Sequence, residues 1–323
     1  MFRPTSIQVH PGTFHLDDII CCVQAKILNE NVKIIREDAV NKDSNIVTGE
    51  IIADVGLGRF DHHQKDAKIR EDGYKHCAAS LLWEFWGKDV IRKIYPDISD
   101  DELNISWKVV NDTMMKTLSI TDNGIIVDKA VKFDSATNGM SSIVGLFNPT
   151  WTERVQPAEI DERFNKLVDM LIPVFKRYIH SVMDETEAEI AVEELIKRNN
   201  NKNILVLDRY ISWERAVCNH PEIVMVIYPS LRGGWNIQLA PQDYGSFETK
   251  IKVPDSWKGF KYMGNGSSRA YPGMTFCHAT GFISAFESCS AAEAGAEFLL
   301  EYNESALRDI NSIDKDRDID KRS

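Results

Sequence analysis

The chain has 323 residues, 43% hydrophobic and 27% charged, an ordinary globular composition with room for two domains or one large one. Its net charge of −11, from 49 acids against 38 bases, excludes a surface coated in basic residues for gripping long nucleic acid, though not a local basic groove. No run of about eighteen apolar residues appears, and Met1-Phe2-Arg3-Pro4 opens without a signal or transit pattern, so no membrane span and a cytoplasmic location are expected.

Ser6 to His10 reads as a strand broken by Pro11-Gly12, and Thr13 is placed to cap a helix from Phe14 to Asn29. Val32 to Arg36 is a second strand and Glu50 to Val55 a third, almost wholly apolar, as in a parallel sheet buried on both faces. Leu81, Leu82, Phe85, Trp86 and Val90 recur at helical spacing within Cys77 to Tyr95. Another helix is expected over Asp101 to Leu118, before a Thr121-Asp122-Asn123-Gly124 turn. Strand, helix and strand followed by helices predict an α/β domain over 1–185.

Asp161 to Lys197 has a helical pattern, with a break expected near Pro173 or Asp184 and a domain boundary near Thr186. Strands at 204–207, 223–228, 235–239 and 275–278 then precede a helix over Ala291 to Tyr302, a smaller α/β module over 186–303. Residues 304–323 are charged, poor in aromatics and read as a disordered tail. Cys21, Cys22, Cys77, Cys218, Cys277 and Cys289 form no C-x-x-C pair or zinc spacing and read as small core residues.

The chemistry concentrates in the first domain. Asp61-His62-His63-Gln64 follows an apolar run that ends at Asp54. Neighbouring carboxylates raise each other's pKa and buried imidazoles need partners, costs that a divalent cation removes. His10, His15, Asp17, Asp54 and Asp122 add further donors at strand ends and turns, and the strand ends of an open parallel sheet converge on one crevice. Asp17-Asp18 taken alone merely complements a helix dipole, and Asp122 alone is an ordinary turn acid. Lone histidines such as His76, His180 and His220 read as structural. Together, the carboxylate and imidazole donors suit manganese, with cobalt, iron or zinc also accommodated and magnesium favouring an all-oxygen shell. So many ligands exceed the needs of one tetrahedral zinc. They fit two metals about 3.5–4 Å apart that share one carboxylate and activate water for phosphoester hydrolysis.

Several blocks extend this pattern. They are His10-Pro11-Gly12-Thr13-Phe14-His15-Leu16-Asp17-Asp18, Ile52-Ala53-Asp54-Val55-Gly56, Arg59-Phe60-Asp61-His62-His63-Gln64 and Asp122-Asn123-Gly124-Ile125. The second domain adds Gly234-Trp235-Asn236-Ile237-Gln238 and Phe276-Cys277-His278-Ala279-Thr280-Gly281-Phe282-Ile283. In these blocks the chain resembles the Myg (melanocyte proliferating gene) family of DHH-superfamily phosphoesterases over about residues 5–302. The resemblance implies a DHH phosphoesterase-like parallel-sheet domain, a smaller α/β C-terminal domain and 3′–5′ exonuclease activity on RNA. It also implies His10, His15 and Asp54 at one metal and Asp17, Asp54, His62 and Asp122 at the other. Asp61 would orient an imidazole and His63 would face the scissile phosphate, while Arg232, Lys250 and His278 are the expected substrate contacts. Two positions depart from the family pattern. Ser119 stands where an acid is common, which leaves Asp112 as an alternative to Asp122, and Lys250 stands where an arginine is common. Trp235 and Trp257 are candidates for base stacking, with core packing preferred.

The leading expectation is a two-metal exonuclease on RNA or short oligonucleotides. A small phosphoester or pyrophosphate hydrolase is the near alternative, and a non-catalytic metal- or nucleotide-binding protein the distant one.

Overall fold

The computed structural model describes residues 1–39, 42–125, 139–264 and 268–304, so all but the first residue of the expected tail lies outside the described residues. The chain divides into two compact units, Met1–Thr186 and Glu187–Ser323, both mixed α/β. Among the described residues no helix is long and apolar enough to cross a membrane.

In the first unit β1 (Ser6–Val9), β2 (Lys33–Arg36) and β3 (Glu50–Ile52) form a parallel sheet in the order β2-β1-β3. The chain leaves β1 toward one neighbour and returns on its other side. That reversal makes a topological switch point, where a crevice opens beyond the carboxyl ends of β1 and β3. His10 directly follows β1, and Asp54 lies two residues past β3. Helix α1 (Leu16–Leu28) connects β1 to β2 and is buried along its whole length except at Lys26. A helix apolar all round belongs in a core, and each fully buried aliphatic side chain such as Ile19 or Ile20 contributes about 1.5–3 kcal/mol. Its one central polar residue, Gln24, is satisfied by α2 (Ala78–Ile94). Gln24 Nε2 donates to the Ala79 carbonyl at 3.1 Å and Gln24 Oε1 accepts from Trp86 Nε1 at 3.0 Å.

Several local expectations are corrected. His15, not Thr13, occupies the cap position of α1. The third strand stops at Ile52 because Asp54 adopts φ +61, a left-handed conformation incompatible with an extended ladder. The helix expected over 101–118 is instead α3 (Asp100–Val110), a π turn (Asn111–Met115) and α4 (Lys116–Asp122), so Asp122 ends a helix rather than sitting in the turn after it. Helix α5 (Met140–Gly145) follows. No break interrupts α6 (Pro157–Arg198), which passes through Pro173. Pro173 and Asp169 are both exposed, so the Asp169 carbonyl that loses its proline donor can turn to water.

The second unit holds a five-stranded sheet ordered β4-β5-β6-β8-β7. Its strands are β4 (Ile204–Val206), β5 (Met225–Pro229), β6 (Trp235–Leu239), β7 (Met274–Cys277) and β8 (Ile283–Phe286). Only β4 and β5 run parallel. Alongside are α7 (Glu214–Cys218) and α8 (Cys289–Tyr302), the latter packed on the sheet. Neither β8 nor α7 was expected, since each is too short to show a period. Gly234 in the β5–β6 turn has φ +72, and a Cβ there would meet the Phe286 carbonyl at 2.2 Å. Trp257 is buried and stacks on Phe298, ring centroids 5.6 Å apart, which assigns it to the core rather than to base stacking.

Candidate metal centre

Among the described residues, the switch-point crevice brings acids and histidines of the first unit into three neighbouring clusters, two of which share His62. These are His10, His15 and Asp18; Asp17, His62 and Asp122; and Asp54, His62 and His63. Within each, the donor atoms lie within 4.8 Å of one another. Asp54 stands between the other two clusters. Its Oδ2 lies 3.5 Å from His10 Nε2, and its Oδ1 lies 3.0 Å from His62 Nε2. His62 Nε2 is also 3.0 Å from Asp122 Oδ2.

Asp18 is the residue that the sequence reading missed. It is fully buried, with Oδ2 3.1 Å from His10 Nε2 and accepting the His15 backbone N–H at 3.1 Å, while its Oδ1 has no partner. A buried carboxylate oxygen without a donor is what a cation would satisfy. The signal was present: Asp18 stands three residues after His15, the position from which a helix acid reaches back to its cap.

Asp17 has two tasks. Its oxygens accept the N–H groups of Ala78 and Ala79 at 2.9 and 2.8 Å, holding the N-terminus of α2, while the same carboxylate joins His62 and Asp122. Burial raises the Asp17 carboxyl well above its ordinary range, and the Asp54 and Asp122 charges add to this. Asp54 is raised for the same first reason, against the pull of His62. The imidazoles respond in the opposite sense. His10 is pushed up to about 9, chiefly by its hydrogen bond to Asp18. Burial works against a charged His62, yet Asp122 and Asp54 push it up to about 10. Three buried carboxylates beside Asp122 thus draw cationic character to the site, and its mixed oxygen and imidazole donors could hold a divalent metal ion.

Asp61 and His63 form a separate pair. Asp61 accepts from Leu57, His62 and His63 N–H groups at 2.7, 2.7 and 3.0 Å, and from His63 Nδ1 at 2.8 Å. Burial alone would raise its carboxyl, but these donors hold it well below the usual range. It therefore stays anionic, fixes the His63 ring and raises the His63 pKa. The His63 side chain is 58% exposed, unlike His62 at 6%.

Asn123 ties the last turn of α4 to the start of α2. Its Nδ2 donates to the carbonyls of Lys75, His76 and Ser119 at 3.2, 3.3 and 2.8 Å. One side chain thereby fixes the backbone next to Asp122 and the backbone leading to the Asp17 anchors. Asn123→Ala is expected to weaken cation binding at the Asp17, His62 and Asp122 cluster by about 10–100-fold, the usual cost of losing a group behind a ligand. In a calorimetric manganese titration one binding step should weaken while the other persists; two unaltered steps would count against the strap. Asn148 acts similarly on Phe14, accepting its N–H at 3.0 Å and donating to its carbonyl at 2.8 Å beside His15. Ser119, at the position where an acid was expected, is buried and bonded to the Met115 carbonyl at 2.8 Å. Asp112 is an exposed partner of Lys108 and belongs to none of the clusters, whereas Asp122 lies in one.

The three expected substrate contacts do not form one group. Strand register puts Trp235 and Met274 opposite Phe286, and Gln238 opposite Ile283. Arg232 therefore lies at one end of the five-stranded sheet and His278 at the other, separated by a strand of about 13 Å. One phosphate cannot take both. Lys250 Nζ donates to the carbonyls of Val217, His220 and Ile223 at 3.0, 2.7 and 3.0 Å, so its three donors already close the turn after α7. His278 Nδ1 accepts the Thr280 N–H at 3.2 Å and lies 2.8 Å from the Thr280 hydroxyl. His220 bridges Glu193 and Glu222, and His180 contacts Tyr95, both structural roles.

A family model named MYG1_exonuc and described as Uncharacterised protein family (UPF0160) matches residues 6–299. The chain is 25% identical to MYG1 protein C694.04c of Schizosaccharomyces pombe, over 92% of this chain and 97% of that protein. It is 24% identical to the proteins named MYG1 exonuclease from Mus musculus and Homo sapiens, over 88% of this chain and 81% and 82% of theirs. No solved structure matches significantly. With the match running through both units and across every residue of the candidate clusters, the chain belongs to the MYG1 family (UPF0160).

Proposed function

We propose that the protein is a metal-dependent phosphodiesterase of the DHH type, acting as a 3′–5′ exonuclease on RNA or short oligonucleotides. The observation that carries this reading is Asp54, whose two oxygens lie beside an imidazole from each of two clusters, a placement from which one carboxylate could serve two cations. The exonuclease names of the mouse and human relatives support the same class. His10, His15, Asp18 and Asp54 would hold one ion, and Asp17, Asp54, His62 and Asp122 the other. Bound there, the ions would neutralise phosphoryl charge and make water a usable nucleophile near neutral pH.

The remaining chemistry falls to this chain's own side chains. Asp61 holds the Nδ1 side of the His63 ring, so His63 can present its other nitrogen to a phosphoryl or leaving-group oxygen and donate a proton there. Within the second unit, Arg232 and His278 are assigned to different parts of a nucleic acid chain, and Lys250 to structure. The net charge of −11 favours short substrates, because long chains are held by many Lys and Arg contacts.

The test is manganese-dependent hydrolysis of end-labelled RNA, a dinucleotide and pyrophosphate in parallel. The expected result is stepwise release of 5′-mononucleotides from the 3′ end. Turnover of pyrophosphate alone would replace this reading with a small-phosphoester hydrolase. No turnover with manganese, magnesium or cobalt would leave a non-catalytic binding protein.

A further inference from the structure

Beside the candidate ligands, a cleft of about 230 Å³ is lined by His15, Asp17 and Asp122 on one side and by Asn148 on another. It shares Leu16, Leu118, Thr121 and Ser141 with a larger recess of about 660 Å³ that runs on into the first unit. The larger recess is walled by apolar groups, among them Ile20, Met114 and Phe175, with the hydroxyls of Thr113 and Thr117 at its margin. The recess is open to solvent along Thr113, Thr117 and Val174, and a mostly apolar recess with a few polar groups is the usual form of an organic-ligand site.

We propose that this recess is a terminal-nucleoside site. The proposal rests on the phosphodiesterase reading, since it seats the group attached to a phosphate held at the clusters. A phosphate or pyrophosphate has no apolar surface to place there. A nucleoside has both an apolar ring face and hydroxyls. Its base fits against the accessible apolar side chains of Met114, Met140 and Val174, and its sugar fits the shared neck, where Thr121 and Ser141 offer hydroxyl partners. A recess that takes one nucleoside selects chain ends over chain interiors. It thereby gives a physical reason for cleavage one residue at a time.

The experiment compares AMP, UMP and ribose 5-phosphate by calorimetry on the full chain equilibrated with manganese. Both nucleotides are expected to bind about ten-fold or more tightly than ribose 5-phosphate, the scale of one base finding an apolar or aromatic surface. Val174→Trp, from a 45% exposed position in the recess wall, should bring that ratio down to about one. Thr117→Trp does the same from the opposite wall if the first variant melts abnormally. Equal affinity of nucleotide and ribose 5-phosphate for the wild type would overturn the proposal, as would an unchanged ratio in a folded variant. RNA hydrolysis is followed separately. RNA cleavage with equal affinities sinks the nucleoside site alone, and failure of all hydrolysis sinks the phosphodiesterase reading while the affinity ratio still decides the recess.

Discussion

Asp54→Ala is expected to abolish paired cation binding and to lower phosphodiester hydrolysis by about 10³-fold or more. Removing a single donor to a developing charge already costs about 10²–10³ in rate, and Asp54 faces both clusters. The alanine variant carries a second effect. Asp54 has φ +61 and is buried, and an alanine held there is strained by about 1–2 kcal/mol. Asp54→Asn separates the two effects, because asparagine tolerates this backbone and keeps the shape while removing the charge. The metal-free asparagine variant should melt no lower than the wild type, since one of several mutually repelling buried carboxylates is gone. It should also lose the rise in melting temperature that manganese gives the wild type. Metal content and melting curves, read beside hydrolysis, check all three statements. Normal turnover by Asp54→Asn would refute its placement between two ions.

Manganese binding at pH 7 is expected to release protons, among them one each from His10 and His62. The sign follows from the shifts. Both imidazoles are raised above their ordinary value of about 6.5, to about 9 and about 10, so both are protonated at neutral pH in the metal-free chain. A nitrogen must lose its proton to bind a metal, so affinity rises with pH, by about ten-fold per pH unit for each proton released. The rise should level off once pH passes about 9 to 10, where the imidazoles are already neutral. Titrations in buffers of different ionisation enthalpy count the released protons directly. A count of zero at pH 7 would mean that neither histidine is displaced from its carboxylate partner, and the ligand assignment of both would fall.

Much of the site was legible because its residues sit in short contiguous blocks. Asp61-His62-His63 and His15-Leu16-Asp17-Asp18 place donors closer together than an ordinary surface requires, and the strands before His10 and Asp54 announce a sheet edge. Asp18 was passed over because an acid in a first helical turn has an adequate local explanation. Only its zero exposure and its orphaned oxygen defeat that explanation. The substrate contacts were the weakest reading. Arg232, Lys250 and His278 are grouped as donors that a phosphate would need, and donor type carries no information about which end of a sheet a turn occupies. The π turn at Asn111–Met115 was equally invisible. It adds one residue to one turn and so redirects the helix face that follows, the stretch ending in Asp122.

By itself, then, the sequence determined the donor types, their concentration in the first unit and the parallel character of the first sheet, because these depend on residue chemistry and on local periodicity. Tertiary structure decided which carboxylate meets which imidazole. It made Asp17 both an anchor of α2 and a member of a cluster, and it committed the Lys250 ammonium to three backbone carbonyls. It also opened a recess beside the ligands from residues far apart in the chain. These outcomes depend on strand order, register and helix phase, which are set by the packing of the whole unit rather than by any one segment.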